Sequence, residues 1–428
     1  MLLLFLDIAT ESDWAAASLG AAAVGAFVRG RGHGAALLRV PVDQAPEEAA
    51  RAALDLKPDL VGMSLACRQW PRAKAVAAAL RGLSGVPVLA GGLLPTFAPD
   101  EVLACLGMDY ACIGQGEEPA ARLLDALARG ERPRSGIPGL ATREAPRPAR
   151  SPDLDPASLP FWARDLCAEG NGVVHLGTRR GCPFSCAYCA AGALKALHGP
   201  AWGRRRPPGH VLAELRAISR AGDLNYVLFV DDTFTLDRDW LAAFLPAYAA
   251  EFGLGFSVHS RPDTIDQALA QDLARAGCRH VVLGLESGSE RVRREVMGRP
   301  MAEAAIRMAA AAVRDAGLTL TLNAMYGLPG ETPDEAAQTL ALAEDLAPHD
   351  VGHFTFHPYP GTALFEACRR RGLLPPDWLE RPADNVAPLL DLPEFPAAEV
   401  GRVHAEWEAL RVRLAARRGC AGAAAGVC

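Results

Sequence analysis

Apolar and polar positions fall into two alternating series, separated by a stretch with no period. In the first series the runs LLLFLD, AALLRV, DLVGMSL, VPVLAGG and MDYACIG are interleaved with helix-like segments such as WAAASLGAAAVGAFVRG and PRAKAVAAALRGL. Near-continuous apolar runs alternating with helices predict a parallel sheet covered on both faces. The expectation for residues 1–130 is therefore an α/β, doubly wound, Rossmann-like domain with any ligand at the carboxyl ends of its strands.

The second series starts at Val173 with a more regular beat: VVHLGT, YVLFVDD, GFSVHS, HVVLGLES, LTLTLNAMYGLPG and VGHFTFHPYP. Helical stretches lie between them; in HVLAELRAISRAG, Val211, Leu215 and Ile218 share one stripe. Six strand–helix units fall short of the eight that close a barrel, so a partial (β/α)6 TIM-type barrel, open on one side, is expected over 172–371. Between the series, 131–171 is dense in Pro, Arg and Ser and reads as an extended surface linker. A small, mostly helical segment is expected over 372–428, ending in one helix whose Val400, Val403, Trp407, Leu410 and Leu414 recur at the spacing that packs on the barrel. The tail RGCAGAAAGVC should fray.

Bulk composition mainly excludes. A chain of 428 residues, half of them hydrophobic and 22% charged, implies two or three globular domains. A net charge of −6 gives no bulk field for nucleic acid or anionic lipid, and the local run WGRRRPP reads as a solvated turn. MLLLFLD has no basic lead-in and only six apolar residues before Asp7, too few for a signal segment or a membrane span. A soluble cytoplasmic chain with no nucleic-acid partner is the expectation.

Cysteine usage changes the picture more. Eleven cysteines are an odd count, and Cys67, Cys105, Cys112, Cys167, Cys278 and Cys368 mostly sit in apolar contexts that suit small buried hydrophobes. Cys182, Cys186 and Cys189 are different, crowded into RRGCPFSCAYCAAG directly after the first strand of the second series. Structural zinc takes four ligands, usually as paired C-x2-C; Cys167 and His198 are near but not at zinc-finger spacing. A 4Fe–4S cluster tolerates one iron without a protein ligand, and that iron is open to a substrate.

With its flanking motifs the C-x3-C-x2-C run resembles the radical S-adenosylmethionine (SAM) superfamily from about Val173 to Cys368. The resemblance implies a 4Fe–4S cluster on Cys182, Cys186 and Cys189, with Tyr188 as the motif's aromatic residue and SAM chelated at the open iron. SAM would be split by one electron to a 5′-deoxyadenosyl radical. It further implies SAM contacts from Asp231 and Asp232 in FVDDTFT, where Asp replaces the commoner Gly-Gly-Glu, and from Ser260 and Arg261 in HSRPD. Glu286 in GLESGSE, Gly327 in YGLPGET and Pro358 in PYPGT complete the set, one motif per strand end.

In front of this unit, VGMSLACRQW, VLAGGLLPTFAPDEVL and DYACIGQGEEP resemble the cobalamin-binding domain that precedes many radical SAM enzymes. By that resemblance Ser64 lies on the path of the nucleotide tail, Gly91 and Gly92 let it approach the strand end, and the loop of Gly114, Gly116 and Glu117 closes the pocket. The region corresponding to a cobalt-ligating D-x-H-x-x-G loop reads DIATESDW and has no His, so the corrin should bind base-off with no histidine beneath cobalt. Arg68 and Trp70 of CRQW become candidates for its lower face, Trp70 being equally readable as core. Methylthiotransferases share the layout but need three further cysteines, for which Cys67, Cys105 and Cys112 are the available set.

The resemblance implies a cobalamin-dependent radical SAM enzyme, a C-methyltransferase acting on an unactivated carbon through methylcobalamin. Cyclisation without methyl transfer, or a first domain reduced to a docking module without cobalamin, are the alternatives. The implied partners are a small-molecule or peptide substrate and a one-electron reductant of flavodoxin or ferredoxin type. Arg204, Arg205 and His357 can meet a polar or anionic substrate or be solvated surface.

Overall fold

The computed structural model describes residues 1–10, 18–167, 169–199, 202–222, 224–381, 383 and 386–420. The second half of the DIATESDW loop, residues 11–14, and the tail beyond residue 420 lie outside them.

Each apolar run of the first series is a strand. In chain order the elements are β1 (Leu2–Ile8), α1 (Leu19–Gly30), β2 (Gly34–Val40), α2 (Pro46–Asp55), β3 (Leu60–Ser64), α3 (Trp70–Leu83), β4 (Val88–Gly91), α4 (Leu93–Phe97), α5 (Pro99–Ala104), β5 (Tyr110–Cys112), α6 (Glu117–Ala128) and β6 (Leu140–Ala141). The sheet order is β2-β1-β3-β4-β5-β6, parallel except for β6. Connections leave in opposite directions from β1 and β3, which opens a crevice at their carboxyl ends. Alternate residues serve two cores: Leu4, Leu6 and Ile8 pack with α2 and α3, while Leu3 and Phe5 pack with α1 and α6.

The second series gives β7 (Val173–Leu176), α7 (Ala190–His198), α8 (Pro208–Ala221), β8 (Tyr226–Phe229), α9 (Arg238–Glu251), β9 (Gly255–Ser260), α10 (Gln267–Arg275), β10 (Cys278–Glu286), α11 (Glu303–Asp315), β11 (Thr319–Tyr326), α12 (Pro333–Asp345), β12 (Asp350–Thr355) and α13 (Ala363–Arg370). All six strands are parallel in sequential order, with β7 and β12 as free edges, so the barrel is open. Residues facing the helices are buried and those facing the lumen only half so; β10 alternates in this way along most of its length. Phe229 and Phe256 meet edge to face at 5.5 Å under α9, a contact worth about 0.5–1.5 kcal/mol beyond its area. The last helix, α14 (Ala397–Cys420), buries Val400, Val403, Trp407, Leu410 and Leu414 against the barrel, as its spacing predicts.

The surface linker expected over 131–171 needs correcting. Leu140 and Ala141 form the antiparallel edge strand β6 opposite Cys112 and Ala111, and Leu166 is buried in the core beneath α1. Arg164 reaches the barrel side, where it pairs with the buried Glu214 at 2.8 Å. Single apolar residues among prolines carry no period, so their burial is set by neighbours distant in sequence. The segment after α13 likewise crosses back: Trp378, Leu379 and Ala383 pack on the first domain. Among the described residues no helix is long and apolar enough to cross a membrane.

Candidate functional site

Two cavities lie at strand carboxyl ends, one in each domain. The barrel cavity, of about 220 Å³, brings together eight of the residues singled out by sequence: Cys182, Cys186, Tyr188, Cys189, Asp232, Ser260, Arg261 and Glu286. The cysteine loop is pinned by backbone bonds from Ala187 N–H to Met297 O at 2.8 Å and from Leu364 N–H to Ala187 O at 2.9 Å. Cys189 caps α7, accepting the Ala191 N–H at 3.4 Å, and Cys182 Sγ lies 3.8 Å from Thr233 Oγ1. Burial raises the Cys182 thiol and pushes Cys189 up to about 11, so a metal must displace protons from both.

Glu286 ends β10 at a register irregularity and adopts φ +64, a left-handed conformation rare outside glycine. The turn aims its carboxylate at Tyr188, which bonds to it, and at Arg299. Burial raises its pKa, with Arg299 and Tyr188 opposing. Gly284 is required here: a Cβ would sit 2.5 Å from Glu286 Oε1 and 3.2 Å from Arg299 Nη2. Asp232, also in the cavity, has its pKa raised by burial and then by Asp231.

Three residues are placed differently from their sequence assignment. Asp231 does not line the cavity; it is buried and accepts the Thr178 N–H at 2.9 Å and hydroxyl at 2.7 Å, tying β7 to β8. Gly327, with φ +79, donates its N–H to Glu331 at 2.8 Å, and Pro358 is buried; neither lines this cavity. Sequence reasoning missed Phe184, Thr233, His259, Arg299 and Asn323. The signal for His259 and Asn323 was present, since the period of two places both on the lumen face of β9 and β11; Arg299 lay in a loop with none.

The first domain's cavity, of about 170 Å³, runs from the strand ends down between the sheet, α1 and α6. Ser64, Gly91, Gly92, Gly114 and Gly116 line it, joined by Gly20, Gly62 and apolar side chains. Its width comes from missing side chains: a Cβ on Gly62 would press on Phe5 and Leu3 at 3.1–3.2 Å, and Gly92, at φ +96, has Leu65 O 2.7 Å from where its Cβ would be. Arg68, Trp70 and Glu117 are outside the lining. Trp70 is 2% exposed and belongs to the core under α3, so it presents no face to a corrin. Glu117 does not close the pocket; it is buried and paired with Arg180, two residues before Cys182. Of the suggested substrate contacts, Arg204 is exposed and His357 buried. Arg205 is committed to structure, its guanidinium 3.8 Å from the Trp240 ring centroid and bonded to Thr178 and Phe234.

The donor chemistry fits the cofactors expected. Three thiols share one cavity, yet among the described residues no three His, Cys, Asp or Glu side chains could hold a single metal ion. A cluster suits that arrangement, because each thiolate takes its own iron. The glycine-walled cleft suits an elongated, largely apolar tail. Cys67 and Cys112 lie in cores on opposite faces of the first sheet, which removes a second cysteine cluster there.

Fold and site together define an enzyme that pairs thiol-held cluster chemistry in an open barrel with a corrinoid-type cleft. Comparison gives the same pair in the same order. Residues 8–124 match the B12 binding domain and residues 178–343 the Radical SAM superfamily. The chain carries a B12 binding domain followed by a Radical SAM domain, and these domains imply cobalamin, a 4Fe–4S cluster and SAM as cofactors. It is 29% identical over 365 residues to an uncharacterised methyltransferase of Pyrococcus horikoshii, covering 81% of this chain and 77% of that one. It is 23% identical over 330 residues to the anaerobic magnesium-protoporphyrin IX monomethyl ester cyclase of Rubrivivax gelatinosus, covering 73% of this chain and 58% of that one. In fold it resembles the radical SAM methyltransferase TsrM of Kitasatospora setae, with a TM-score of 0.69 and 18% identity over 86% of this chain and 75% of that one.

Proposed function

We propose that the chain is a C-methyltransferase acting on an unactivated carbon of a small-molecule or peptide substrate. The observation that carries this reading is that one short helix, α7, runs from the cysteine loop to the rim of the first domain's cleft. Glu117, beside the cleft rim, pairs with Arg180, and Gly114 on the rim lies against His198, whose ring would be 2.8 Å from a Cβ there. His198 ends α7, the helix that Cys189 begins. Activating a carbon and then alkylating it needs both reactive groups brought close together, and the packing of the cleft rim on α7 supports that reading.

When bound, the three cofactors supply one-electron cleavage of SAM and a transferable methyl group. Cys182, Cys186 and Cys189 would hold the cluster. Asp232, Ser260, Glu286 and Tyr188 would receive SAM; a cationic ammonium beside Asp232 or Glu286 would offset the burial that disfavours their charge. Ser64, Gly91, Gly92, Gly114 and Gly116 would shape the tail site, with Arg68 left as the side chain nearest in sequence to a corrin's lower face. A flavodoxin- or ferredoxin-type protein would supply the electron. The relative named as a methyltransferase supports methylation; the relative named as a cyclase supports the second reading, ring closure without methyl transfer.

The test is anaerobic reconstitution with iron, sulfide and cobalamin, then assay of candidate substrates for deoxyadenosine and S-adenosylhomocysteine. Both products, with a substrate heavier by one CH₂, are expected. Deoxyadenosine without S-adenosylhomocysteine would replace this reading with the cyclase one.

A further inference from the structure

Arg261 follows β9 in the motif assigned by resemblance to SAM, yet its guanidinium is already committed. Nε and Nη2 donate to the two oxygens of Asp263 at 2.9 and 2.7 Å. Its plane lies over Phe184, 3.7 Å from the ring centroid, and the residue is 6% exposed. A fork held along one edge and backed by a ring has one direction left. Along it Nη1 donates to Cys186 Sγ at 3.6 Å. Arg299 approaches the same sulfur while its Nη2 is anchored on Gly284 O at 2.8 Å. Among the described residues the other two thiols have neutral hydrogen-bonding neighbours, the Thr233 hydroxyl and Phe184 N–H at Cys182 and the Ala191 N–H at Cys189. The three cysteines are therefore inequivalent, and the positive charge is concentrated on the middle one.

We propose that Arg261 is a potential-setting residue: through its N–H···S bond and buried charge at Cys186 it raises the reduction potential of the cluster those thiols hold. The physical basis is charge. Reduction adds one electron from an external one-electron donor and no proton, so the cluster gains a unit of negative charge. A guanidinium does not lose its proton in proteins, and a buried cation with an N–H aimed at the ligand sulfur stabilises the more negative state more. Asp263 and Phe184 set the direction of Nη1; they act through Arg261. The same commitment takes Arg261 away from direct SAM binding, which falls to Asp232, Ser260, Glu286 and Tyr188.

The inference rests on the thiol-held cluster and is independent of whether the product is methylated. The experiment is a dithionite-poised redox titration of the reconstituted full-length chain, read by electron paramagnetic resonance, with iron and sulfide content and melting temperature measured alongside. R261Q should keep wild-type iron while its reduced-to-oxidised ratio at a fixed potential falls about tenfold, a 59 mV downward shift for a one-electron couple. R261K, which keeps the charge but not the fork, should shift the same way by less. An R261Q midpoint equal to wild type at full iron content overturns the proposal. So does an R261Q chain that folds but holds no cluster, because Arg261 would then serve assembly. If R261Q does not fold, R261K decides: a lowered midpoint supports the proposal and an unchanged one overturns it. A wild-type chain that never acquires an iron–sulfur chromophore would instead remove the thiol assignment itself.

Discussion

The two parallel sheets use the same strand–helix alternation and solve opposite problems. In the first, residues Leu3 to Leu6 of β1 are all buried, because helices cover both faces. In the second, only the outer face is covered, and the strands alternate between buried outer positions and half-exposed lumen positions. A sheet buried on both sides has no interior to offer a ligand, so its cleft is made by leaving side chains out, at Gly62, Gly91, Gly92, Gly114 and Gly116. An open barrel already has an interior, and its site is made by putting chemistry in: thiols, carboxylates, guanidiniums and a histidine. The ends of the second sheet's strands consequently take acids inside, Asp231 and Glu331 buried and Glu286 half-buried. The first domain's cleft is nearly free of charge.

The comparison breaks most visibly at the thiols. Cys182→Ser should abolish the iron–sulfur chromophore and reduce SAM cleavage to background, while corrinoid binding, followed by its absorbance on titration, stays at wild-type affinity. Loss of both would mean that the two sites cannot be loaded separately.

Titration gives the next largest effect, at an acid buried in a loop of the second sheet. Glu331 is fully buried in the loop after β11, accepting the Gly327 and Leu328 N–H groups at 2.8 and 3.1 Å. Burial pushes its pKa up to about 8 from the usual 4.5. The folded chain therefore keeps a proton that the unfolded chain releases, so this stability is complete below the unfolded value and is lost as pH rises through the folded one. The loss should be about 2–5 kcal/mol between about pH 5 and pH 9. Glu331→Gln should flatten that slope, melting above wild type near pH 9 and converging with it near pH 5. A variant with the wild-type slope would show that Glu331 is charged throughout.

The smallest effect tests the first sheet. Gly20, in the first turn of α1, lines the cleft, and a Cβ there meets only Ser64 Oγ at 3.6 Å. Gly20→Leu should leave the fold intact, or slightly stabilise it through helix propensity, and weaken corrinoid binding about 10–100-fold. Iron content should not change. Undiminished corrinoid affinity would place the tail elsewhere.

Much of this was readable in advance, for stated reasons. Every strand expected in either series is present, because strand runs between helices leave few other ways to bury themselves. The three thiols and Tyr188, Asp232, Ser260, Arg261 and Glu286 converge because consecutive parallel strands deliver their carboxyl ends to one rim. Adjacent acids in FVDD looked equivalent, but neighbours in a chain leave a strand end in different directions: Asp232 faces the cavity and Asp231 is turned onto Thr178. Trp70 stayed open between core and cofactor, and Glu117 was put on the pocket loop, for a related reason: burial and a partner 63 residues away leave no local trace.

The sequence alone determined what depends on period and spacing: two parallel sheets, an unclosed six-strand barrel, and thiols too few for zinc's four ligands at a strand end. Tertiary structure decided what depends on encounters between distant residues. It made β6 and a buried Leu166 out of a supposed linker, set Gly114 at the cleft rim against His198 of α7, and aimed the Arg261 guanidinium at a sulfur. Periodicity records which way a side chain faces its own sheet; only packing decides what it meets there.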